Sequence, residues 1–459
     1  MPLRLSADSA TYLSIGIAAL AVLASFVTAM LTLRFQRNLE KGRSLEQRKL
    51  EEYRSLEQRR LEEYRSLEQR RREEYRSRDE RYVSTTEQYA SATEQLGHEQ
   101  AAVRLAGVHA LVRLADDWEP QRQAAIDVLC AYLRMPYDPE NAPKGEKEVR
   151  QTIIRLIGNH LRPDARERSW SNADLDFTGA VFDGGDFHEA VFSGEKVSFQ
   201  GATFSGGIVS FLGAIFSGRL TNFNGARFSG GVVSFDDARF SGEEVNFRGT
   251  TFSGRGVFRF SVAIFSGGVT NFDRATFSGG SVSFDGATFS GRLTTFNGAK
   301  FRRTSFSDAI FSGGEISFQA TTLREISFAG ATFSGLVRFD VATFSGLVRF
   351  DTATFSSNGV VSFYGARFSG AEVTFDEATF SGAEVSFEGA WLTGGEFSFS
   401  EAIFSGGEVH FAGAIFSGGE VHFAEVKQWT KPPTGLPSEE SGIHLPKWGS
   451  DPEPLGTSG

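Results

Sequence analysis

One cysteine, Cys130, occurs in 459 residues, so no disulfide can form within the chain, which fits a reducing compartment. No Asn-x-Ser/Thr acceptor occurs. The chain has no Walker A loop, no Gly-x-Ser-x-Gly and no His-Glu-x-x-His, and its many Ser residues recur without a recurring His or Asp partner. These absences argue against nucleotide hydrolysis, serine-hydrolase chemistry and zinc proteolysis. No catalytic, cofactor-binding or metal-binding residue is expected. Charge is missing from Ser9 to Leu33, and Lys and Arg are missing from Ala371 to Val426, where ten Asp/Glu stand alone. Neither Gly nor Pro interrupts the segment that follows Gly42.

The uncharged stretch is SATYLSIGIAALAVLASFVTAMLTL. At 1.5 Å per residue such a helix spans roughly 37 Å, more than a hydrocarbon core of about 30 Å. Arg4 and Asp8 precede it, whereas Arg34, Arg37, Lys41 and Arg43 follow. The positive-inside rule therefore predicts a single-pass anchor in the cell membrane through residues 9–33, with the C-terminal bulk cytoplasmic. A cleaved signal peptide would have a shorter apolar core and a more basic start.

Three copies of an 11-residue unit come next: RSLEQRKLEEY (43–53), RSLEQRRLEEY (54–64) and RSLEQRRREEY (65–75). Eleven residues close three helical turns, so Leu45, Leu50, Leu56, Leu61 and Leu67 share one side. Pairs such as Glu68/Arg72 support the helix at i,i+4 spacing. The stalk reads either as a coiled coil giving a homo-oligomer through 43–82 or as a lone charged helix. Beyond it, QAAVRLAGVHALVRLA (100–115), 124–133 and 149–161 have amphipathic helical periodicity. They form a small domain resembling a HEAT or armadillo unit, with Cys130 buried as a small apolar residue and His109 as an ordinary helix histidine.

Phenylalanine is the excess. Of 45 Phe, 43 lie between Phe177 and Phe423. From Phe199 onward they alternate at five and seven residues, as Phe199, Phe204, Phe211, Phe216 and Phe223 do, in a unit reading VSF-x-GATFSGG. Such a period predicts a solenoid whose coils stack to bury what no single coil can. Phe, and the Ala or Val two before it, should point inward, Ser and Thr outward, and Gly should sit at corners.

The segment Ala173-Asp-Leu175-Asp-Phe177 nearly matches Ala-(Asp/Asn)-Leu-x-x, and residues 171–426 resemble the pentapeptide-repeat family. The resemblance implies a right-handed quadrilateral β-helix with four repeats per coil. Two-residue insertions at alternate corners would lengthen the coil to 24 residues, giving about ten coils. Leu323 and Leu392 replace Phe, and the spacing slips at Phe296–Phe311, Phe333–Phe339, Phe344–Phe350, Phe252–Phe260 and Phe355–Phe363. These slips are expected to be loops that bulge from the rod.

The expected fold class is multidomain, α then β. It comprises a transmembrane anchor (1–33), a charged helical stalk (34–92), a small helical domain (93–170), the β-solenoid (171–426) and a disordered Pro/Gly-rich tail (427–459). The helical domain should cap one end of the solenoid and Trp429 the other. Residues 171–426 carry 16 basic and 27 acidic groups. That balance argues against direct nucleic-acid binding, which needs Lys and Arg against phosphate. The expected function is a membrane-tethered scaffold that presents a rigid solenoid to an unknown protein partner. Glu372, Asp376, Glu377, Glu384, Glu388, Trp391, Glu396 and Glu401 form the candidate interaction surface. Two alternatives stand beside it: a DNA mimic that binds gyrase, as some family members do, and a structural protein of the cell envelope. His410 and His422, twelve residues apart, should face opposite sides and share no metal.

Overall fold

The computed structural model describes residues 7–356, 359–370, 372–436 and 442–446. The first six residues expected in the anchor and the tail from 447 lie outside the described residues. The chain divides into two units, Met1–Thr86 and Glu87–Gly459.

In the first unit the chain is helical from Ala7 onward, within helix α1 (Ala7–Leu96). It is the one described helix long and apolar enough to cross a membrane. Leu20, Leu23, Phe26 and Leu31 are exposed along it. The hydroxyls of Ser25 and Thr28 donate back to the carbonyls of Ala21 and Ala24, both at 2.8 Å. Their polar groups are therefore satisfied within the helix, as an apolar surround requires. Further on, Leu45, Leu50, Leu56, Leu61 and Leu67 are exposed, and Arg72 bonds Glu68 at 2.6 Å.

The second unit opens with α2 (Ala101–Asp117), α3 (Arg122–Arg134) and α4 (Glu146–Leu161). Leu111, Ile126, Leu129, Ile153 and Ile157 form their common core, with Ala92 and Leu96 packed in. Cys130 is buried there. Arg150, which is 3 % exposed, ties α4 to the end of α3. It donates to the Glu146 carboxylate at 2.8 Å and to the carbonyls of Leu133 and Met135 at 2.9 and 2.8 Å. Its guanidinium lies 4.3 Å from the Tyr137 ring centroid.

The solenoid is right-handed, with four faces per coil and about eleven coils. Face one runs from Leu175–Asp176 through Lys196–Ser198 to Glu408–His410. Face four runs from Val191–Phe192 to Gln428–Trp429. Faces two and three belong to one sheet, because strands such as Thr203–Ser210 and Trp391–Ser398 bend through the corner between them. Every strand pairing is parallel; Phe204 pairs with Phe228, 24 residues on.

The corners explain the small residues. The Ala202 amide donates to the Phe199 carbonyl at 3.0 Å, and Gly201 between them has φ +64°. A positive φ at the third position of a four-residue turn is the type II signature, and glycine meets it without a Cβ penalty. Ala202 and its counterparts Ala214 and Ala226 then point inward, fully buried. The Phe rings do the same and stack from coil to coil, as Phe223 and Phe247 do at 4.7 Å and 1°. Facing columns meet edge to face, as Phe223 and Phe235 do, the arrangement that ring quadrupoles favour.

Two expectations change. The spacing slips between Phe296 and Phe350 are not bulging loops. Where most corners between faces two and three carry extra residues, Phe301 and Thr304 are separated by Arg302 and Arg303 alone. Lys300–Ser305 is therefore one unbroken strand, turned by a φ of +53° at Arg303. The next coil repeats this with Thr322–Ser327 and Glu325 at +54°. Losing two residues tightens the corner and shortens the coil. The solenoid also does not stop at Val426. Gln428–Trp429 pairs with Ile403–Phe404, and Ile443–His444 pairs with Val421–His422. These short β-prone pieces inside a Pro/Gly-rich composition complete a last coil by taking up the open edge.

Both ends are covered. Gly158 of α4 lies so close to the Asp186 carbonyl that any Cβ would collide with it. Arg134 pairs with Asp176, and Arg162 pairs with Asp186 at 3.0 Å. Trp170 is 1 % exposed and stacks on His160 at 4.3 Å. At the other end Trp429 packs edge-on against Phe404 at 5.2 Å and Phe423 at 5.4 Å.

Candidate interaction surface

The outward positions of the last coils hold the acidic residues singled out by the sequence, and the coil geometry splits them. Glu372 and Glu396 stand on face three. Asp376, Glu377 and Glu401 follow them at the corner leading to face four. Glu384 lies on face one, opposite. Glu388 occupies the corner between faces one and two, and Trp391 begins the strand on face two. The eight residues are therefore two patches, one on face three and its corner, the other around Glu388 and Trp391, with Glu384 on the adjoining face.

The first patch is a ladder. Glu396 pairs in register with Glu420. Glu372 stands one coil earlier at the same register, because its neighbour Val373 pairs with Phe397. Adjacent strands lie about 4.8 Å apart, so like charges stack directly, an arrangement that destabilises unless relieved. Glu377 and Glu401 repeat the pattern at the corner, with φ of +58° and +55° and amides donating to the carbonyls of Ser400 and Glu425. Asp376 differs from the rest. It is half-buried, and its carboxylate accepts from the Ser398 hydroxyl and from the Ser400 amide at 3.0 Å. It bonds coil to coil and has little left to offer a partner.

In the second patch Trp391 is 45 % exposed and pairs in register with Arg367, whose guanidinium lies 5.6 Å from the indole. On face one Glu384 pairs with Glu408. The Lys431 ammonium bonds Glu408 at 2.9 Å and holds its carboxyl below the usual range.

Two groupings escape the sequence reading. Arg303 pairs with Glu325 at 3.0 Å, and the shortened corners form a shallow hollow with Asp285, Arg303, Glu325 and Arg349 on its walls. At the last coil His422 faces His444, ring on ring at 4.6 Å and 3°. His410 lies on face one, opposite His422 on face three, so the two are apart. A signal for the second grouping exists: Ile443-His444-Leu445 repeats Val421-His422-Phe423 twenty-two residues later.

The pentapeptide-repeat family matches residues 177–223 and 296–343, in nine copies. No curated protein sequence matches the chain. Among solved structures the chain is similar to HetL, a pentapeptide repeat protein involved in heterocyst differentiation regulation from the cyanobacterium Nostoc sp. strain PCC 7120. That similarity has 17% identity, 52% of this chain, 92% of that one and a TM-score of 0.14. It is also similar to QnrB1, a plasmid-mediated fluoroquinolone resistance protein, at 19% identity over 43% of this chain and 92% of that one, with a TM-score of 0.14. The family therefore rests on the repeats themselves. Over those two stretches the four-sided right-handed coil, with Phe turned inward, is built of pentapeptide repeats.

Proposed function

We propose that the chain is a membrane-tethered scaffold, anchored through residues 9–33 with its solenoid in the cytoplasm, that presents the outer faces of the last coils to a protein partner and performs no catalysis. The observation that carries this reading is the exposed apolar run of α1, with Leu20, Leu23, Phe26 and Leu31 uncovered. In water that surface is costly, at about 25 cal/mol per Å² of apolar area, and lipid removes the cost. Arg34, Arg37, Lys41 and Arg43 after the run support the cytoplasmic side. A partner for the face-three ladder would be basic, since Glu372, Glu396 and Glu420 stack carboxylate on carboxylate from coil to coil. The test is a C-terminal tag with protease added to intact and then permeabilised cells, together with cross-linking of wild type and a Glu372→Lys/Glu396→Lys/Glu401→Lys variant. Protection until permeabilisation, and loss of a cross-linked species in the variant, agree with the proposal. Digestion in intact cells, or an unchanged set of cross-links, defeats it.

A further inference from the structure

The last coil brings Glu420 and His422 of one strand together with His444, twenty-two residues further on. Glu420, His422 and His444 each place a ligand atom within 4.8 Å of the others. The juxtaposition comes from the fold. Val421–His422 pairs in parallel register with Ile443–His444, so the two imidazoles leave neighbouring strands at the same height. Glu420 sits two residues before His422, on the same outward side of the strand. Its carboxylate approaches the His422 Nε2 at 3.3 Å, and Glu396 from the coil before approaches the same nitrogen at 3.5 Å.

We propose that Glu420, His422 and His444, with Glu396 at the fourth position, bind a first-row divalent transition metal of the zinc type. Two imidazoles and carboxylate oxygens are the borderline donor set such ions take, at bonds of about 2.0–2.2 Å. Tetrahedral ligands at those lengths lie about 3.3 Å apart, the separation Glu420 and His422 already have, so the widest gap closes by at most about 1.5 Å. All four are at least partly exposed and free to turn. A hard cation such as Ca²⁺ would instead demand six or more oxygens, which two imidazoles do not supply.

Electrostatics favours a cation at this place independently of the histidines. The Glu372, Glu396 and Glu420 ladder stacks carboxylates with no Lys or Arg between Ala371 and Val426 to neutralise them. A divalent ion removes that repulsion at its C-terminal end. It also bonds the final strand, which is two residues long and held by one neighbour, to the coil before it. The metal thus acts as a clasp on the last strand of the solenoid. This inference does not depend on membrane tethering or on a protein partner.

The experiment titrates Co²⁺ into the full-length, untagged chain in detergent micelles and follows the visible d–d absorption, with Zn²⁺ as competitor. The expected result is one saturable, intensely absorbing site that Zn²⁺ displaces. His422→Ala and His444→Ala should each weaken it by at least the roughly 10–100-fold that even an outer-shell change costs, while His410→Ala on face one leaves it unchanged. Circular dichroism of each variant separates loss of ligand from loss of fold, and His444→Cys, which restores a soft donor, should recover binding. Absence of a saturable site, or binding that His444→Ala leaves intact, overturns the proposal.

Discussion

Phe235 meets Phe247 edge to face, with ring centroids 6.1 Å apart and planes at 88°. Phe235 also stacks flat on Phe260, one coil on, at 4.8 Å and 4°. Each central ring is therefore fixed in two directions, along its own column and across the axis to the facing one. Phe247 has the same relations, stacked on Phe223 and Phe272 at 4.7 and 4.6 Å. Phe247→Ala removes a fully buried ring from between two others and should cost about 3–5 kcal/mol. Phe247→Leu keeps most of the volume and should cost about 1–2 kcal/mol. Stacked repeats couple mainly to their neighbours, so hydrogen exchange should accelerate first in residues 220–275. Acceleration spread evenly over the solenoid would contradict this nearest-neighbour account.

Thr221 occupies an inward position that Val holds in the adjoining coils. It pairs with Val197 on one side and Val245 on the other. It is 1 % exposed, and its hydroxyl finds no hydrogen-bond partner among the described residues. A buried unpaired hydroxyl costs about 1–3 kcal/mol. Thr221→Val preserves shape and removes that cost, so the variant should be more stable by about 1 kcal/mol in chemical denaturation. Thr321 provides the contrast. Its hydroxyl donates to the Phe318 carbonyl at 2.7 Å, and Thr321→Val should gain nothing.

Val262 stands at a corner with φ +58° where the coils on either side place Asp237 and Gly286, and its side chain is 55 % exposed. A β-branched residue is strained in the left-handed region, by about 1–2 kcal/mol. Exposure means that little apolar burial offsets the strain. Val262→Gly should therefore raise stability by about 0.5–1 kcal/mol after the entropy of the added glycine is allowed for. Val341, at φ +50° and equally exposed, should behave alike. Destabilisation by either substitution would show that the corner side chain contributes packing that its exposure does not reveal.

The sequence exposes most of this architecture because one residue type repeats. Phe at five- and seven-residue spacing predicts a coil of 24, and Phe204 pairs with Phe228 at that distance. What it hides is whatever departs from the period. Arg302 and Arg303 look like a break in register, yet they carry the strand round a tighter corner. Gln428–Trp429 and Ile443–His444 lie in a composition that reads as disordered, and they become strands because an existing edge offers their backbone partners. For His444 the one signal is that Ile443-His444-Leu445 repeats Val421-His422-Phe423; its approach to His422 exists only once the last coil forms. The division of the eight acidic and aromatic surface residues was equally hidden, since a one-residue offset along a coil turns a side chain from a bonded position to an exposed one. Asp376 and Glu377 are neighbours in sequence, but the first bonds to Ser400 and the second is exposed.

Alkaline pH should loosen the helical domain before the solenoid. Burial pushes the Cys130 thiol up from 9.0 to about 12. Burial, followed by the hydrogen bond to Glu146 at 2.7 Å, pushes the Tyr132 hydroxyl up from 10.0 to about 12. Both groups keep their protons in the folded state after the unfolded chain has lost them. The unfolded state then binds fewer protons, so stability falls as pH rises. The contribution is fully present below pH 9 and is lost between about pH 9 and 12. Tyr132→Phe and Cys130→Ala should each flatten the decline in denaturation midpoint over that window, whatever they cost at neutral pH. The thiol supplies a second measurement. Alkylation acts through the thiolate, so Cys130 should resist iodoacetamide at pH 8 in the native chain and react on unfolding. Rapid labelling of native protein would mean that the core around Leu129 and Leu133 opens far more readily than its burial implies.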